Sequence, residues 1–290
     1  PEALPTRLPR LAPRFAIDGP LPGYASWEEA VARQPATPIA DEMEGSDLLY
    51  SSGTTGRPKG VKLKLRRDPL GSPPALVRLV QQLYGFGPEM VYLSPAPLYH
   101  AAPLRFNFAV QRLGGTCVIM EHFDAAESLR LIAEHRVTHT QVVPTMFIRM
   151  LKLPEAERVR HDVSSLRLAI HAGAPCPIPI KEAVIAWWGP RIVEYYAGTE
   201  GNGFCAIRSD EWLAHKGSVA RAILGTIHIL DDAFQGLPLG EPGTIYFEGG
   251  AGFEYHKDPA KTASSRSPQG WSTLGDIGYV DAEGYLYLTD

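Results

Sequence analysis

The stretch "LLYSSGTTGRPKGVKLKL", residues 48–65, sets glycines, hydroxyls, a proline and several cations between two apolar runs. Before the loop, "DLLYS" reads as a short buried strand. After it, Val61, Leu63 and Leu65 alternate with Lys62 and Lys64, which is strand period. The loop therefore joins two neighbouring strands. Its composition admits two readings. One is a surface hairpin turn rich in Gly and Ser. The other is an anion cradle: Gly53, Gly56 and Gly60 bring backbone amides close. Ser51, Ser52, Thr54 and Thr55 add hydroxyl donors, and Lys59 adds a mobile positive charge. Each hydrogen bond to a charged group contributes roughly 1.5–3 kcal/mol, so several could hold a polyphosphate. The spacing excludes a Walker loop, because Lys59 follows Pro58 and precedes Gly60, with no Gly-Lys-Ser/Thr run.

Working outward, residues 1–46 are proline-rich and read as a linker with one short helix, "SWEEAVARQ". Ser26 and Glu29 form a capping-box pattern there, and Pro35 ends the helix. From 73 to 200 helices and strands alternate. Leu76, Leu79, Val80, Leu83 and Tyr84 make a helical stripe stopped by Gly85. Residues 101–113 read as a helix, Asp124 and Glu127 cap another running to His135, and Pro144 and Pro177 open two more. Between them lie the strands "MVYLS", "TCVIM", "THTQVV", "LRLAI" and "RIVEYY". This alternation predicts an α/β fold, a parallel-rich sheet layered with helices, over 47–214. In 215–290 the short strands "GTIHIL", "GTIYFEG", "DIGYV" and "YLYLTD" predict a small antiparallel, barrel-like subdomain.

The 290 residues are 44% hydrophobic and 21% charged, ordinary for a soluble globular chain with a sizeable core. The net charge of −4 gives no sign of a nucleic-acid partner. No apolar run is long enough to span a bilayer. Three scattered cysteines without a CxxC pattern point to a reducing, cytoplasmic setting and away from a zinc site. His135 and His139 are spaced i, i+4, but one closes a helix and the other lies in the next strand, so a metal pair is rejected. Trp187 and Trp188 read as packing residues. His171 either lines a pocket or is a plain loop residue.

Ligands of open α/β sheets sit beyond the carboxyl ends of the strands. Four polar or glycine-rich stretches fall at such ends: "SSGTTGRPKG", "SPAPLYH", "HAGAP" and "AGTEGNG". Glu200, in the last, has the character of a magnesium ligand, since that ion takes one or two carboxylates plus phosphate oxygens. Asp276, between glycines in "STLGDIGYV", suits the two hydroxyls of a ribose. Taken singly, each carboxylate reads more readily as a solvated loop or turn residue.

"YSSGTTGRPKG" closely resembles the phosphate-loop signature of the adenylate-forming superfamily, which comprises acyl-CoA synthetases, luciferases and the adenylation domains of peptide synthetases. "PLYHAAPL", "YYAGTEG", "GTIYFEGG" and "GWSTLGDIGYVDAEGYLYLTD" resemble further segments of that family in the same order, so the likeness covers about residues 47–290. It implies a reaction in two steps. A carboxylate attacks the α-phosphate of ATP to give acyl-AMP and pyrophosphate, and a thiol, usually that of coenzyme A, then displaces AMP.

Carried over by position, Ser51, Ser52, Gly53, Thr54, Thr55, Gly56 and Lys59 form the phosphate loop. Thr199 touches the α-phosphate, Glu200 binds Mg2+, and His100 lies beside the acyl group. Tyr196 stacks on adenine, the backbone of Gly173, Ala174 and Pro175 runs along the base, and Asp276 takes the ribose. Ala197 stands where the family has a glycine, and Leu274 where a threonine is common. The chain starts at Pro1 and stops at Asp290, which resembles the family's interdomain hinge. A fragment is expected, one that lacks the small C-terminal domain with its adenylate-gripping lysine, binds nucleotide and turns over poorly alone.

No acid lies between Ser94 and Arg105, where peptide-synthetase domains usually place an aspartate for the substrate amine. A fatty or other hydrophobic carboxylic acid is therefore favoured over an amino acid. A peptide-synthetase-type domain and a non-catalytic nucleotide-binding module are the alternatives, and a homo-oligomer is left open.

Overall fold

The structure is a computed structural model and describes residues 7, 8, 10–51 and 58–289. Ser52, Gly53, Thr54, Thr55, Gly56 and the hinge-like Asp290 lie outside the described residues. The chain divides into two compact units. The first is Pro1–Glu44 with Asp68–Leu70, and the second is Gly45–Arg67 with Gly71–Asp290. In the first unit, β1 (Phe15–Ala16) and β2 (Ala25–Ser26) pair in parallel ahead of α1 (Trp27–Ala32). Ser26 caps that helix, its hydroxyl accepting from the Glu29 amide, as the capping pattern predicts.

The second unit opens with β3 (Leu48–Ser51) and β4 (Lys59–Leu63), which pair antiparallel, so the glycine-rich loop does join neighbouring strands. Two details differ from the sequence reading. β3 is largely exposed rather than buried, and β4 stops at Leu63, leaving Leu65 exposed. The reason is topological. These strands form a separate three-stranded sheet with β14 (Phe253–Tyr255), so among the described residues one side of β3 has no neighbour strand.

The alternating region gives α2 (Ala75–Tyr84), β5 (Val91–Ser94), α3 (Ala101–Arg112), β6 (Thr116–Ile119), α4 (Ala125–Glu134), β7 (His139–Val142), α5 (Pro144–Leu151), α6 (Glu155–Arg158), β8 (Leu168–His171), α7 (Ile178–Trp188) and β9 (Ile192–Tyr196). The local signals explain the limits. Gly85 closes α2 in a left-handed conformation, the Asp124 carboxylate accepts from the Glu127 amide, and Pro144 begins α5. The strands pair in parallel in the order β9-β8-β7-β5-β6.

Both faces of this sheet are covered, which is why β7 and β8 are buried at every position. Alternation sorts their residues. Leu168, Ile170, Val193 and Tyr195 pack with Val80 of α2 and Phe106 and Val110 of α3. Ala169 and Ile192 pack on the opposite face with Leu129 of α4, Phe147 of α5 and Val184 and Trp188 of α7. Trp188 meets Phe147 edge-on with ring centroids 5.9 Å apart, so it is a packing residue. His139 is a satisfied core histidine, with Nε2 2.9 Å from the Tyr84 carbonyl oxygen and Nδ1 2.9 Å from the Thr138 hydroxyl.

The antiparallel strands expected after 215 are present, hydrogen-bonded onto the parallel ones. β10 (Phe204–Arg208), β11 (Ala220–Leu224), β12 (Thr226–Leu230), β13 (Gly243–Glu248), β15 (Ser272–Val280) and β16 (Tyr285–Leu288) extend the sheet in the order β12-β13-β15-β16-β11-β10-β9. The short helices α8 (Ser209–Ala214) and α9 (Pro259–Ser264) lie within this part of the chain. The barrel-like closure expected from sequence gives way to one open order of strands, because β10 pairs antiparallel with β9 and carries the sheet on. Among the described residues no helix is long and apolar enough to cross a membrane.

Candidate active site

The carboxyl end of β9 is the centre of the site. Tyr196 ends the strand, and Ala197–Glu200 turn away from it. Gly198 is required there by close approach. A β-carbon at that position would stand 2.5 Å from the Leu274 side chain and 2.9 Å from Glu200 Oε2. Leu274, the departure from threonine, thus packs over the glycine.

Glu200 is buried, and its Oε1 accepts two bonds. Lys59 Nζ lies 3.0 Å away, and the Tyr255 hydroxyl donates at 2.9 Å. Lys59 also reaches the Tyr255 oxygen at 3.2 Å, which closes a triangle of ammonium, phenol and carboxylate. Burial presses the Lys59 ammonium toward neutrality, but its bond to Glu200 and the attraction of that carboxylate outweigh this, so its pKa lies above the ordinary value. The Tyr255 hydroxyl is likewise raised, first by burial and then by the Glu200 charge.

Four residues before Glu200, the Tyr196 hydroxyl donates to Asp276 Oδ2 at 2.6 Å. Burial, then Asp276, pushes that phenol far above its usual pKa, so it stays a donor. The tyrosine expected to stack on a base and the aspartate expected to take a ribose are therefore bonded to each other across 80 residues. Gly173, with φ of 87°, turns the exposed segment Gly173–Pro175 just beyond β8. Thr199 is held through its carbonyl, which accepts from Arg105 Nη1 at 3.3 Å, while Arg105 Nε donates to Asp47 Oδ2 at 2.8 Å.

The structure thus brings Lys59 to Glu200 and Tyr196 to Asp276 around Thr199. It does not bring His100 into these bonds. His100 is exposed at the N-cap of α3, where its ring lies 4.5 Å from that of Tyr99. The Ser51 hydroxyl is shielded from solvent and has no bonding partner among the described residues. Tyr255 and Arg105 escaped the sequence reading. Tyr255 sits in a strand with no motif around it, and its contacts span 196 and 55 residues. Arg105 carried a usable signal, a cation in the first half of the largely apolar helix that follows "PLYH".

The donor set can be tested against a magnesium nucleotide. Among the described residues no three His, Cys, Asp or Glu side chains cluster as a metal site. A divalent ion at Glu200 would take its remaining ligands from phosphate and water, which suits magnesium. The set fits the group.

The sequence profile of the AMP-binding enzyme family matches residues 8–254. The chain belongs to this family. Among curated relatives, it is 30% identical to 4-coumarate–CoA ligase-like 6 of Oryza sativa subsp. japonica, over 96% of this chain and 48% of that protein. It is 32% identical to the 2-succinylbenzoate–CoA ligase of Bacillus licheniformis, over 85% of this chain and 50% of that protein. The chain spans about half the length of these AMP-binding relatives. Among solved structures, it superposes on the amide bond synthetase McbA from Marinactinospora thermotolerans with a TM-score of 0.79 at 28% identity, covering 99% of this chain and 58% of that one. The N-terminal domain of FACL13 from Mycobacterium tuberculosis gives a TM-score of 0.75 at 29% identity, with 91% and 66% covered. The Bacillus subtilis O-succinylbenzoate coenzyme A synthetase, solved with AMP, gives a TM-score of 0.77 at 25% identity, with 100% and 61% covered.

Proposed function

We propose that this AMP-binding chain forms the nucleotide- and acid-binding part of an enzyme that activates a hydrophobic carboxylic acid as acyl-AMP and passes the acyl group to coenzyme A. The observation that carries the reading is the convergence of Lys59 and Asp276, far apart in sequence, on Glu200 and Tyr196 at the carboxyl end of β9. In this reading Asp276 accepts the ribose hydroxyls, Tyr196 stacks on the base, and the Gly173–Pro175 backbone borders it. Ser51, Ser52, Gly53, Thr54, Thr55 and Gly56 surround the β- and γ-phosphates, and Thr199 meets the α-phosphate.

The Lys59–Glu200 pair bears on phosphate binding. Lys59 Nζ has three N–H donors, so a triphosphate would compete with Glu200 and Tyr255 for them and weaken the Lys59–Glu200 pair. Glu200 would hold Mg2+ when the ion is bound, and the ion would supply positive charge to offset the phosphate oxygens. Tyr255 keeps Glu200 oriented. Positioning and electrostatic stabilisation dominate phosphoryl chemistry of this kind. In this reading His100, at the head of the helix whose Arg105 bonds the Thr199 carbonyl, meets the acid.

The relatives named for 4-coumarate and 2-succinylbenzoate put aromatic acids beside fatty acids as candidates. The cysteines are unpaired, which supports a reducing, cytoplasmic setting. The test is a panel of aryl-propenoic, succinyl-aryl, fatty and amino acids, offered with ATP and coenzyme A to the full-length protein. Formation of AMP, pyrophosphate and a thioester from a hydrophobic acid is expected. Release of ADP and phosphate, or use of amino acids alone, would overturn the reading.

A further inference from the structure

His171, the last residue of β8, stands in register opposite Glu194 of β9. Its Nε2 lies 3.6 Å from Glu194 Oε2, and the Lys181 ammonium, in the first turn of α7, donates to that same oxygen. Lys181 Nζ also sits over the ring of Trp212, 4.6 Å from its centroid. The three polar side chains are almost wholly shielded, at 0%, 5% and 1% exposure for His171, Glu194 and Lys181. His171 and Lys181 bracket the Ala172–Ile180 connection, so both ends of the segment carrying Gly173–Pro175 meet on one carboxylate. Glu194 is two residues before Tyr196 in the same strand, so both side chains leave the same face of the sheet. Tyr196 in turn is bonded to Asp276.

A buried ion pair is a poor source of stability compared with well-packed apolar residues, because desolvation offsets the attraction. Burial lowers the pKa of Lys181 against the pull of Glu194, and raises that of Glu194 to about 7 against the pull of Lys181. Burial also holds His171 well below its usual pKa, leaving a neutral ring against the carboxylate and edge-on to Phe147. The cluster takes no part in the chemistry derived above.

We infer that Glu194 is a positioning residue that, through Lys181 and His171, fixes the Gly173–Pro175 backbone relative to Tyr196 and so sets the width of the adenine slot. The inference rests on the nucleotide reading of that slot. It is tested in the full-length protein with two probes: AMP, which needs the slot, and inorganic triphosphate, which needs only the phosphate loop.

The double variant Lys181→Met/Glu194→Gln removes the ion pair without leaving a buried charge unmatched. It is expected to melt close to the wild type, to bind AMP about tenfold more weakly and to bind triphosphate unchanged, a tenfold loss corresponding to about 1.4 kcal/mol. Glu194→Gln alone keeps the side-chain shape and serves as the second variant should the double one unfold; it is expected to lose AMP affinity about threefold or more, again without change in triphosphate binding. Wild-type AMP affinity in either folded variant overturns the inference, as does an equal loss for both probes, which marks a general structural role. A wild-type protein that fails to bind AMP overturns the nucleotide reading itself, and the inference with it.

Discussion

Lys59, Glu200 and Tyr255 hold one another in a partly shielded triangle, and each has a separable task. Tyr255→Phe removes one donor from a carboxylate that keeps its lysine, so the expected cost is about 1 kcal/mol of stability, read as a small drop in melting temperature. Lys59→Met is different in kind. It leaves the buried carboxylate with a neutral donor only and takes a positive charge from the phosphates, so pyrophosphate release should fall by about 100-fold or more in a steady-state assay. A loss under about threefold would remove Lys59 from the mechanism. Tyr196→Phe deletes the bond to Asp276 while keeping the ring. AMP affinity measured by calorimetry should fall about 2- to 10-fold, the size of one ordinary hydrogen bond.

The turn between β9 and β10 depends on a missing side chain. Gly198→Ala places a methyl group against Leu274 and Glu200, and Glu200 can yield only by leaving Lys59 and Tyr255. Gly198→Ala should therefore depress adenylate formation, and adding Leu274→Ala should restore part of it by opening space beside the new methyl. Equal activities for the single and double variants would show that the Leu274 contact is not what constrains the glycine. The elements around this turn were legible because their signals are local. Periodicity marked the parallel strands, and Asp124, Pro144 and Gly85 marked helix limits that the structure keeps. β3 and β4 were legible as neighbours but not as a sheet apart from the large one. Their pairing with β14 joins residues nearly 200 positions away, which no local pattern encodes. The same separation hid Tyr255 and the role of Arg105, whose partners Asp47 and Thr199 lie 58 and 94 residues away.

Across the whole molecule, one long sheet carries both the parallel and the antiparallel strands, and the site gathers where the two patterns meet, at the end of β9. This junction lets Asp276 of β15 and Glu200 reach a common centre, although they are 76 positions apart in sequence. The order of motifs was visible in sequence, but their closure into one centre required the strand order. The central claim is that this centre makes an acyl-adenylate. Acid-dependent exchange of labelled pyrophosphate into ATP, compared between the full-length wild-type protein and its Glu200→Gln variant, tests it most directly. The account predicts exchange that requires a hydrophobic acid and magnesium and that drops by about 100-fold or more in the variant. Absence of exchange with every acid, or exchange undiminished by Glu200→Gln, would contradict it.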